Sequence, residues 1–304
     1  MSPATAHLPL APEAPARAPR ARVWRPLPRE VADIVAVEDC GGGLQPRMYP
    51  WFGIMLVRSP AMVSVEARRD VVADRNQVVL IPPFQLHGLR ALGEAAEGAV
   101  TLLLRGVHLN ELGLPAQAAL VTDRPLGEKV AVLVCQLQRP IRSVEHAATI
   151  RPLLEQLLAC STPLAAPRAR RTSSLDPERR FLQGHVGEAI STKDLARMKG
   201  LTESHLIRTF HYEFGLPPHA YHLRLRLAAA CELLAGGAAV AGVAYECGFA
   251  DQSHLSRKFK AVYGVTPAAW AAGAIGRNRY DAGMFSADTA QLPLSMRSAN
   301  TWWC

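Results

Sequence analysis

In the last third of the chain the apolar positions recur with the period of a helix, and the same arrangement occurs twice. Leu206 and Phe210 lie four residues apart, as do Leu255 and Phe259, so each pair forms a stripe along one face of a helix. Five further positions match around each stripe, four with the same residue type and the fifth with an aromatic residue. They are His205, Arg208, Gly215, Pro218 and Tyr221 in the first copy, and His254, Arg257, Gly264, Pro267 and Trp270 in the second. So many matches in one order predict two copies of a single supersecondary unit.

Each copy is predicted to contain two helices joined by a tight turn. In the first copy, Ser191 suits the cap of the first helix, Gly200 the turn and Thr202 the cap of the second helix. Gly248 and Asp251 take the last two roles in the second copy. A helix pair with a short glycine-containing turn is typical of the helix-turn-helix motif, whose second helix enters the DNA major groove. An ordinary helical hairpin repeat has the same outline.

The outward faces of the two second helices help to decide between these alternatives. They carry residue types that suit DNA, since arginine pairs with guanine, glutamine with adenine and serine with either, while lysine contacts phosphates. The candidate DNA-binding residues are Ser204, Ile207, Arg208, Gln252, Ser253, Ser256, Arg257, Lys258 and Lys260. Ile207 has two interpretations, contact with a thymine methyl group or partial burial under its own unit. Because an arginine recurs at the same register, the pattern favours DNA binding.

A further amphipathic helix is predicted between the two units. Leu223, Leu227, Cys231 and Leu234 share one face, and the glycine pair 236–237 ends the helix. Such a helix bridges the units rigidly, and successive major-groove segments lie about 34 Å apart. One chain is therefore expected to read two neighbouring groove segments, with some bending of the DNA.

At these residues the chain resembles the AraC/XylS family of bacterial transcription regulators. The resemblance covers about residues 177–276 and rests on the doubled helix-turn-helix, the run 226–234, the stretch 244–260 and the closing residues 263–267. It implies sequence-specific promoter binding, usually activation. It also implies two sets of base-reading positions. These are Ser204, Ile207 and Arg208 in the first unit, and Gln252, Ser253, Ser256 and Arg257 in the second.

The second unit departs from this pattern in its first helix. Ala239 stands where a serine or threonine cap is expected, and Gly242 is a poor helix residue. The second unit is therefore expected to be the less stable one.

The N-terminal half is predicted to form a β-domain. Short apolar and β-branched runs at 52–57, 62–65, 70–72, 77–81 and 99–104 are separated by polar turns, which predicts an antiparallel sandwich or small barrel. Residues 80–87 resemble the end of a cupin-type jelly roll, the effector-binding domain common in the family. The expected fold class is α+β, with a cupin-like antiparallel β-barrel followed by an all-α double helix-turn-helix domain.

A cupin enzyme fused to a DNA-binding module is an alternative. Cupin metal sites use a His-x-His pair with further ligands, whereas this region offers His87 and His108 and no such pair, so neither metal nor catalysis is expected. If the barrel holds an effector pocket, Tyr49, Trp51, Arg58 and His87 are candidate lining residues. For each the plainer interpretation is structural. Trp51 suits a core, Arg58 a solvated turn and His87 the surface.

The distribution of charge and of residue types along the chain predicts its division into domains. The net charge of +8 lies mostly in the arginine-rich start and the C-terminal half, which fits a DNA-binding module. The predicted domains are a disordered arm at 1–30, a cupin-like effector and dimerisation domain at 31–160, a linker at 161–175, the helix-turn-helix domain at 176–276 and a tail at 277–304. The six cysteines show no metal spacing, and no apolar run is long enough to span a membrane.

Two helices are predicted before the linker, over 126–137 and 144–158. Leu153, Leu154 and Leu157 lie on one face of the second helix, which suits either a dimer contact or packing on the helix's own domain.

The whole sequence predicts a cytoplasmic regulator that binds promoter DNA as a homodimer and responds to a small-molecule effector. It is expected to use no cofactor, and to contact RNA polymerase if it activates transcription. A regulator without an effector, controlled by its abundance or by a protein partner, is the alternative.

Overall fold

A computed structural model of the chain describes residues 20–27, 29, 32–40, 45–66, 70–93, 98–105, 112–138, 145–164 and 174–276. The described strands are β1 Arg20–Trp24, β2 Ile34–Cys40, β3 Phe52–Val57, β4 Ala61–Val65, β5 Asp70–Ala73, β6 Val78–Ile81, β7 His87–Ala91, β8 Ala99–Leu104, β9 Ala119–Val121 and β10 Thr162–Pro163. The described helices are α1 Arg124–Leu137, α2 Glu145–Ala159, α3 Asp176–Gly184, α4 Thr192–Lys199, α5 Glu203–Phe214, α6 Pro218–Ala235, α7 Val240–Glu246, α8 Gln252–Tyr263 and α9 Pro267–Ile275. A β-domain followed by a helical domain confirms the α+β class.

The strands form two antiparallel sheets. The larger one has seven strands in the order β1-β2-β8-β3-β6-β9-β10, and the smaller has the order β5-β4-β7. The central strand β3 pairs with both β6 and β8, so that Ile54 lies opposite Leu80 on one side and Leu102 on the other. The described strands thus form a sandwich of two sheets, one of the two arrangements that the strand pattern predicted.

Each face of the larger sheet packs against a different layer, because side chains alternate along a strand. On one face, Ile54, Leu80 and Leu102 form a core with Val130 and Leu133 of α1. On the other face, Met55 and Val79 pack against residues of the smaller sheet such as Val63. Near the β1 edge this second face holds Val35 and Leu103, which join a core with α6 to α9. The β-domain and the helical domain therefore share a hydrophobic core.

The leucine face of α2 is buried within its own domain. Leu154 is 1% exposed and Leu157 is fully buried, both in the core that α1 and the larger sheet form. Of the two uses considered for this face, packing on the helix's own domain is the one that the structure shows.

The predicted disordered arm at 1–30 is wrong for its last part. Residues 20–24 form β1, in which Val23 lies opposite Val37 and Trp24 opposite Ala36. Val23, Trp24 and Leu27 are buried, so apolar side chains hold this stretch on the sheet despite its arginines. The predicted linker likewise begins with β10, which pairs with β9. The first 19 residues, most of the linker, His108 and the predicted tail lie outside the described residues.

Several predicted element bounds are confirmed. β3 and β8 span the predicted residues, and the helix predicted at 126–137 begins two residues earlier, at Arg124. Among the described helices, none is both long and apolar enough to cross a membrane.

Candidate nucleic-acid interface

The first helix-turn-helix unit consists of α4 and α5. The Ser191 side chain caps α4 by accepting a hydrogen bond from the backbone N–H of Asp194, and Thr202 caps α5 by accepting from that of His205. Gly200 adopts φ of 72° in the turn between the helices, and Gly215 ends α5 with φ of 83°. Both angles are left-handed and favour glycine. The predicted caps and turn of the first unit are confirmed.

The second unit consists of α7 and α8 and repeats this geometry. Gly248 forms the turn with φ of 70°, and Asp251 caps α8 by accepting from the N–H of His254 at 2.6 Å. Gly264 ends α8 with φ of 75°. Ala239 provides no side-chain hydrogen bond at the start of α7, as its methyl side chain requires. The structure thus has the uncapped helix that the sequence predicts for the second unit, and the lower stability of that unit stays a prediction.

The apolar stripes of α5 and α8 face inward and are completely buried. Leu206, Phe210, Leu255 and Phe259 all have 0% exposure. The first pair lies in a core with Leu195 and other residues of the first unit, and the second pair in the core shared with the β-domain. Burying each such side chain contributes roughly 1.5–3 kcal/mol, so the stripes fix which side of each helix remains outside.

The outward faces carry the predicted residues. Ser204, Arg208, Gln252, Ser253, Arg257, Lys258 and Lys260 are exposed, and Ser256 is half-buried. Ile207 is 37% exposed, so its side chain is partly buried and also reaches the surface, which agrees with both of its interpretations. The candidate residues of each unit therefore share the surface opposite its buried stripe. Such a face can offer bidentate and single hydrogen bonds to base edges and cationic groups to phosphates.

Two inward-facing arginines of α6 were not predicted as functional residues. Arg224 donates from Nε to the backbone carbonyl of Pro46 in the β-domain, at 2.6 Å. Arg226, two residues later, donates to the carbonyls of Val186 and Glu188, which precede the first helix-turn-helix unit, and to that of Gly248 in the turn of the second. In the sequence, both appeared as polar positions of an amphipathic helix. One feature of the sequence could have identified them, because both stand beside apolar residues such as Leu225 and Leu227. A charged side chain at such a position lies near a core and needs a hydrogen-bonding partner.

Two of the candidate effector residues, Tyr49 and Trp51, lie at the contact between the two domains. The Tyr49 ring stacks on Tyr263 of α8 with 5.3 Å between centroids, and Trp51 stacks on Trp270 of α9 at 6.5 Å. The Tyr263 hydroxyl donates to the carbonyl of Met48 at 2.6 Å. Trp51 is thus a core residue, as its plainer interpretation held, and Tyr49 shares that core.

His87 differs from its plainer interpretation, and Arg58 differs from its own in part. His87 is 2% exposed instead of lying on the surface, and its Nδ1 lies 3.0 Å from the carbonyl of Gln85. Burial lowers the pKa of His87 to about 4, so the ring is neutral at neutral pH. Arg58 lies in the bend between β3 and β4, where it is half-buried and pairs with Glu38. Within the part of the chain described, no group of three or more His, Cys, Asp or Glu side chains could hold a metal ion.

Two helix-turn-helix units on one bridging helix define a class of DNA-binding domain, and comparison with known proteins agrees. Residues 195–273 match the family described as "Helix-turn-helix domain". The chain is 36% identical over 75 residues to an uncharacterised HTH-type transcriptional regulator, YbfI of Bacillus subtilis, covering 25% of this chain and 27% of that protein. It is 36% identical over 88 residues to the HTH-type transcriptional activator RhaS of Escherichia fergusonii, covering 29% of this chain and 32% of RhaS. Residues 195–273 thus form a helix-turn-helix domain.

The matched part spans about a third of the length of these relatives. Over a longer stretch, the structure is similar to that of wild-type ToxT from Vibrio cholerae bound to an unsaturated fatty acid. The TM-score is 0.50 at 12% sequence identity, covering 86% of this chain and 97% of ToxT. That likeness concerns the fold, a β-domain followed by a helical helix-turn-helix domain.

Proposed function

We propose that this chain is a sequence-specific DNA-binding transcription regulator of the AraC type, which reads promoter DNA through α5 and α8. One observation carries the proposal. Both helices bury an apolar stripe completely and present an exposed arginine, Arg208 or Arg257, at the same register. Arginine in this position can pair bidentately with guanine in the major groove. The function requires no catalytic step and no cofactor.

Selection of binding sites from random double-stranded DNA with the purified full-length protein tests this function. We expect enrichment of a sequence with two short elements about one helical turn, or roughly 10 base pairs, apart. A folded variant that combines Arg208→Ala and Arg257→Ala should enrich neither element. Recovery of random sequences by the wild-type protein would contradict the proposal.

We also propose that the β-domain responds to a small molecule with hydrogen-bonding groups. Three buried polar atoms near the domain contact have no hydrogen-bond partner in the described residues, namely Nη2 of Arg47, Oε1 of Gln85 and Nε2 of His87. Arg47 and His87 exchange backbone hydrogen bonds of 2.7 and 2.9 Å, so Arg47 forms an isolated bridge with the first residue of β7. A buried polar atom without a partner is costly, and a bound molecule could supply the missing partners.

A thermal-shift screen of fatty acids, other small carboxylates and sugars tests the effector proposal. Fatty acids are included because the similar ToxT structure holds one. We expect one class to stabilise the wild-type protein and to have less effect on Arg47→Met. If no compound class stabilises the protein, and if none of the compounds changes its affinity for DNA, control by abundance or by a protein partner is favoured instead.

The remaining partners follow from the DNA-binding function. We propose that the regulator acts in the bacterial cytoplasm as a homodimer on promoter DNA, because joining two DNA contacts raises the effective concentration of the second. Contact with RNA polymerase is proposed for the case of activation. Sedimentation of the protein with and without its operator tests the dimer, and a single protomer on each operator would contradict it.

A further inference from the structure

Besides their common attachment to α6, the two helix-turn-helix units are joined through the segment that leads into the first of them. The residues that lead from α3 into the first unit pack against the turn of the second unit. A β-carbon on Gly248 would lie 2.4 Å from the carbonyl oxygen of Gly187, and one on Gly187 would lie 2.7 Å from that of Glu246. Real β-carbons do not approach so closely, so both positions need glycine for the two backbones to meet.

Arg226 joins the same two segments from the side of α6. Its guanidinium donates from Nε to Val186 O at 3.0 Å, from Nη2 to Glu188 O at 2.5 Å, and from Nη1 to Gly248 O at 2.9 Å. Two acceptors thus belong to the entry of the first unit and one to the turn of the second. One turn earlier on α6, His222 Nε2 lies 3.1 Å from the carbonyl of His185, which holds the entry segment again.

The chemistry of these contacts makes them a geometric constraint. A guanidinium is planar and holds its donors in a fixed arrangement, so three carbonyls bound to it must keep fixed relative positions. Its charge also strengthens each hydrogen bond. Gly248 lies three residues before Asp251, the cap of α8. The position of Gly248 relative to the first unit therefore determines where the second recognition helix begins.

The bridging helix supports both units and ends at a joint of two glycines. Leu225 and Ala228 of α6 belong to the core of the first unit, and Leu227 and Cys231 to that of the second. After α6 the chain passes through Gly236 and Gly237 to reach α7, and Gly237 has φ of 92°. Glycine restricts the backbone least. The contact of Gly187 and Arg226 with Gly248 is thus a second constraint on the position of α7 and α8, besides the core that they share with α6.

We propose that Arg226 is a positioning residue that fixes the separation and angle of the two recognition helices, and so determines which half-site spacing the protein accepts. This inference rests on the proposed DNA-binding function. Changing the spacing by one base pair shifts the second element by about 3.4 Å and rotates it by about 35°. A rigid pair of units tolerates that change poorly, whereas a pair that can pivot about the glycine joint tolerates it better.

The test uses the full-length protein and the operator recovered by site selection, with the distance between its two elements lengthened or shortened by one or two base pairs. We expect the wild-type protein to prefer one spacing by about tenfold or more, and Arg226→Ala to reduce this preference to about threefold or less. Base preference within each element should persist. Arg226→Lys keeps the charge without the planar arrangement of donors, so it should resemble the alanine variant.

The chain offers matched controls for the hydrogen bonds of Arg226 and for the backbone contact at Gly248. Arg224→Ala removes a buried arginine of the same helix that donates to Pro46 and Gln45 of the β-domain, and should leave the spacing preference intact. Gly248→Ala should broaden the spacing preference. Gly200→Ala should not, because Gly200 has a similar φ of 72° but nothing lies within 4 Å of its added β-carbon.

The outcomes separate the inference from the function on which it rests. If the Arg226 variants bind every spacing more weakly by one common factor, the residue only stabilises the fold and the inference fails. It fails also if the wild-type protein binds all spacings equally, although specific DNA binding then stands. A wild-type protein without any sequence preference would overturn the proposed function itself. Should Arg226→Ala not fold by circular dichroism, the comparison of Gly248→Ala with Gly200→Ala decides.

Discussion

Gly273 and Val23 meet backbone to backbone, at a distance that no other residue at position 273 would permit. A β-carbon on Gly273 would lie 2.2 Å from the carbonyl oxygen of Val23. Beside this contact, Arg25 donates from Nε to the carbonyl of Ala274 at 2.7 Å, near the end of α9 where helix carbonyls lack partners within the helix. The first strand of the β-domain and the last helix of the DNA-binding domain are therefore closely docked.

Gly273→Ala is expected to destabilise the protein through this contact. Its β-carbon must push α9 away from β1, and overpacking of this kind costs about 1–3 kcal/mol. Urea denaturation of the full-length protein measures the change in the free energy of unfolding. Unchanged stability of the variant would mean that β1 does not dock on α9 in solution.

Gly242→Ala is expected to have the opposite effect. Gly242 lies in α7 and nothing stands within 4 Å of an added β-carbon, so alanine introduces no clash. Replacing an exposed helix glycine by alanine stabilises by roughly 0.5–1 kcal/mol. The same denaturation experiment measures it. A loss of stability would show that this helix does not form as described.

The sequence predicts the helix-turn-helix units well, because their determinants are local. Caps such as Thr202 and Asp251 act within three residues, and the stripes of Leu206 and Phe210 or of Leu255 and Phe259 follow the helix period. Because the unit is duplicated, the role of each position can be inferred from two copies. Exposure of Arg208 and Arg257 follows directly from burial of the opposite face.

The contacts between distant parts of the chain could not be predicted in the same way. β1 depends on pairing with β2, and its arginines obscure the apolar residues Val23 and Trp24. The sequence makes Tyr49 and Trp51 candidate pocket residues while favouring a core position for Trp51, and only the position of α8 and α9 decides between these roles. Arg226 binds carbonyls up to 40 residues away along the chain, and no local pattern encodes such a contact.

Leu154→Ala is expected to destabilise the β-domain instead of changing its oligomeric state. Leu154 is 1% exposed and packs in the core beneath the larger sheet, so truncation leaves a cavity that costs about 2–5 kcal/mol. Val132→Ala on the outer side of α1, where Val132 is 57% exposed, should cost much less. Urea denaturation compares the two variants. Equal effects would place α2 outside the core.

Arg208→Ala and Arg257→Ala are each expected to relax preference at one base pair. Loss of a bidentate arginine–guanine pair costs about 1–3 kcal/mol of discrimination, and both side chains are exposed on the recognition faces. Binding to operators with single base-pair changes measures the effect. Full discrimination by both variants would show that these faces do not read bases.

Lys258→Ala and Lys260→Ala are expected to weaken binding to all DNA sequences alike. Each lysine is exposed on α8 and can neutralise about one phosphate, so each variant should lower the slope of log affinity against log salt by about 1. Titrations over a range of salt concentrations measure the slope. A lysine whose loss altered base preference with no change in slope would instead contact a base.

Stability is expected to decrease as the pH falls from about 6.5 towards 4. Burial lowers the pKa of His87 to about 4, with the Arg47 charge acting in the same direction. The pKa of His222 is also lowered to about 4, by burial and by the neighbouring charge of Arg226. In this window the unfolded chain binds protons that the folded protein cannot accept, so protonation favours unfolding.

His87→Asn and His222→Asn should each reduce the pH dependence across that window, even though each variant is less stable at neutral pH. The slope decreases because a proton-binding group of the unfolded chain is removed. Thermal denaturation at several pH values measures it, with His205→Asn on the exposed face of α5 as the matched histidine control. If His87→Asn has the same pH dependence as the wild-type protein, His87 is accessible to protons in the folded state. Its burial against Tyr49, where the rings lie 5.6 Å apart, would then not persist in solution.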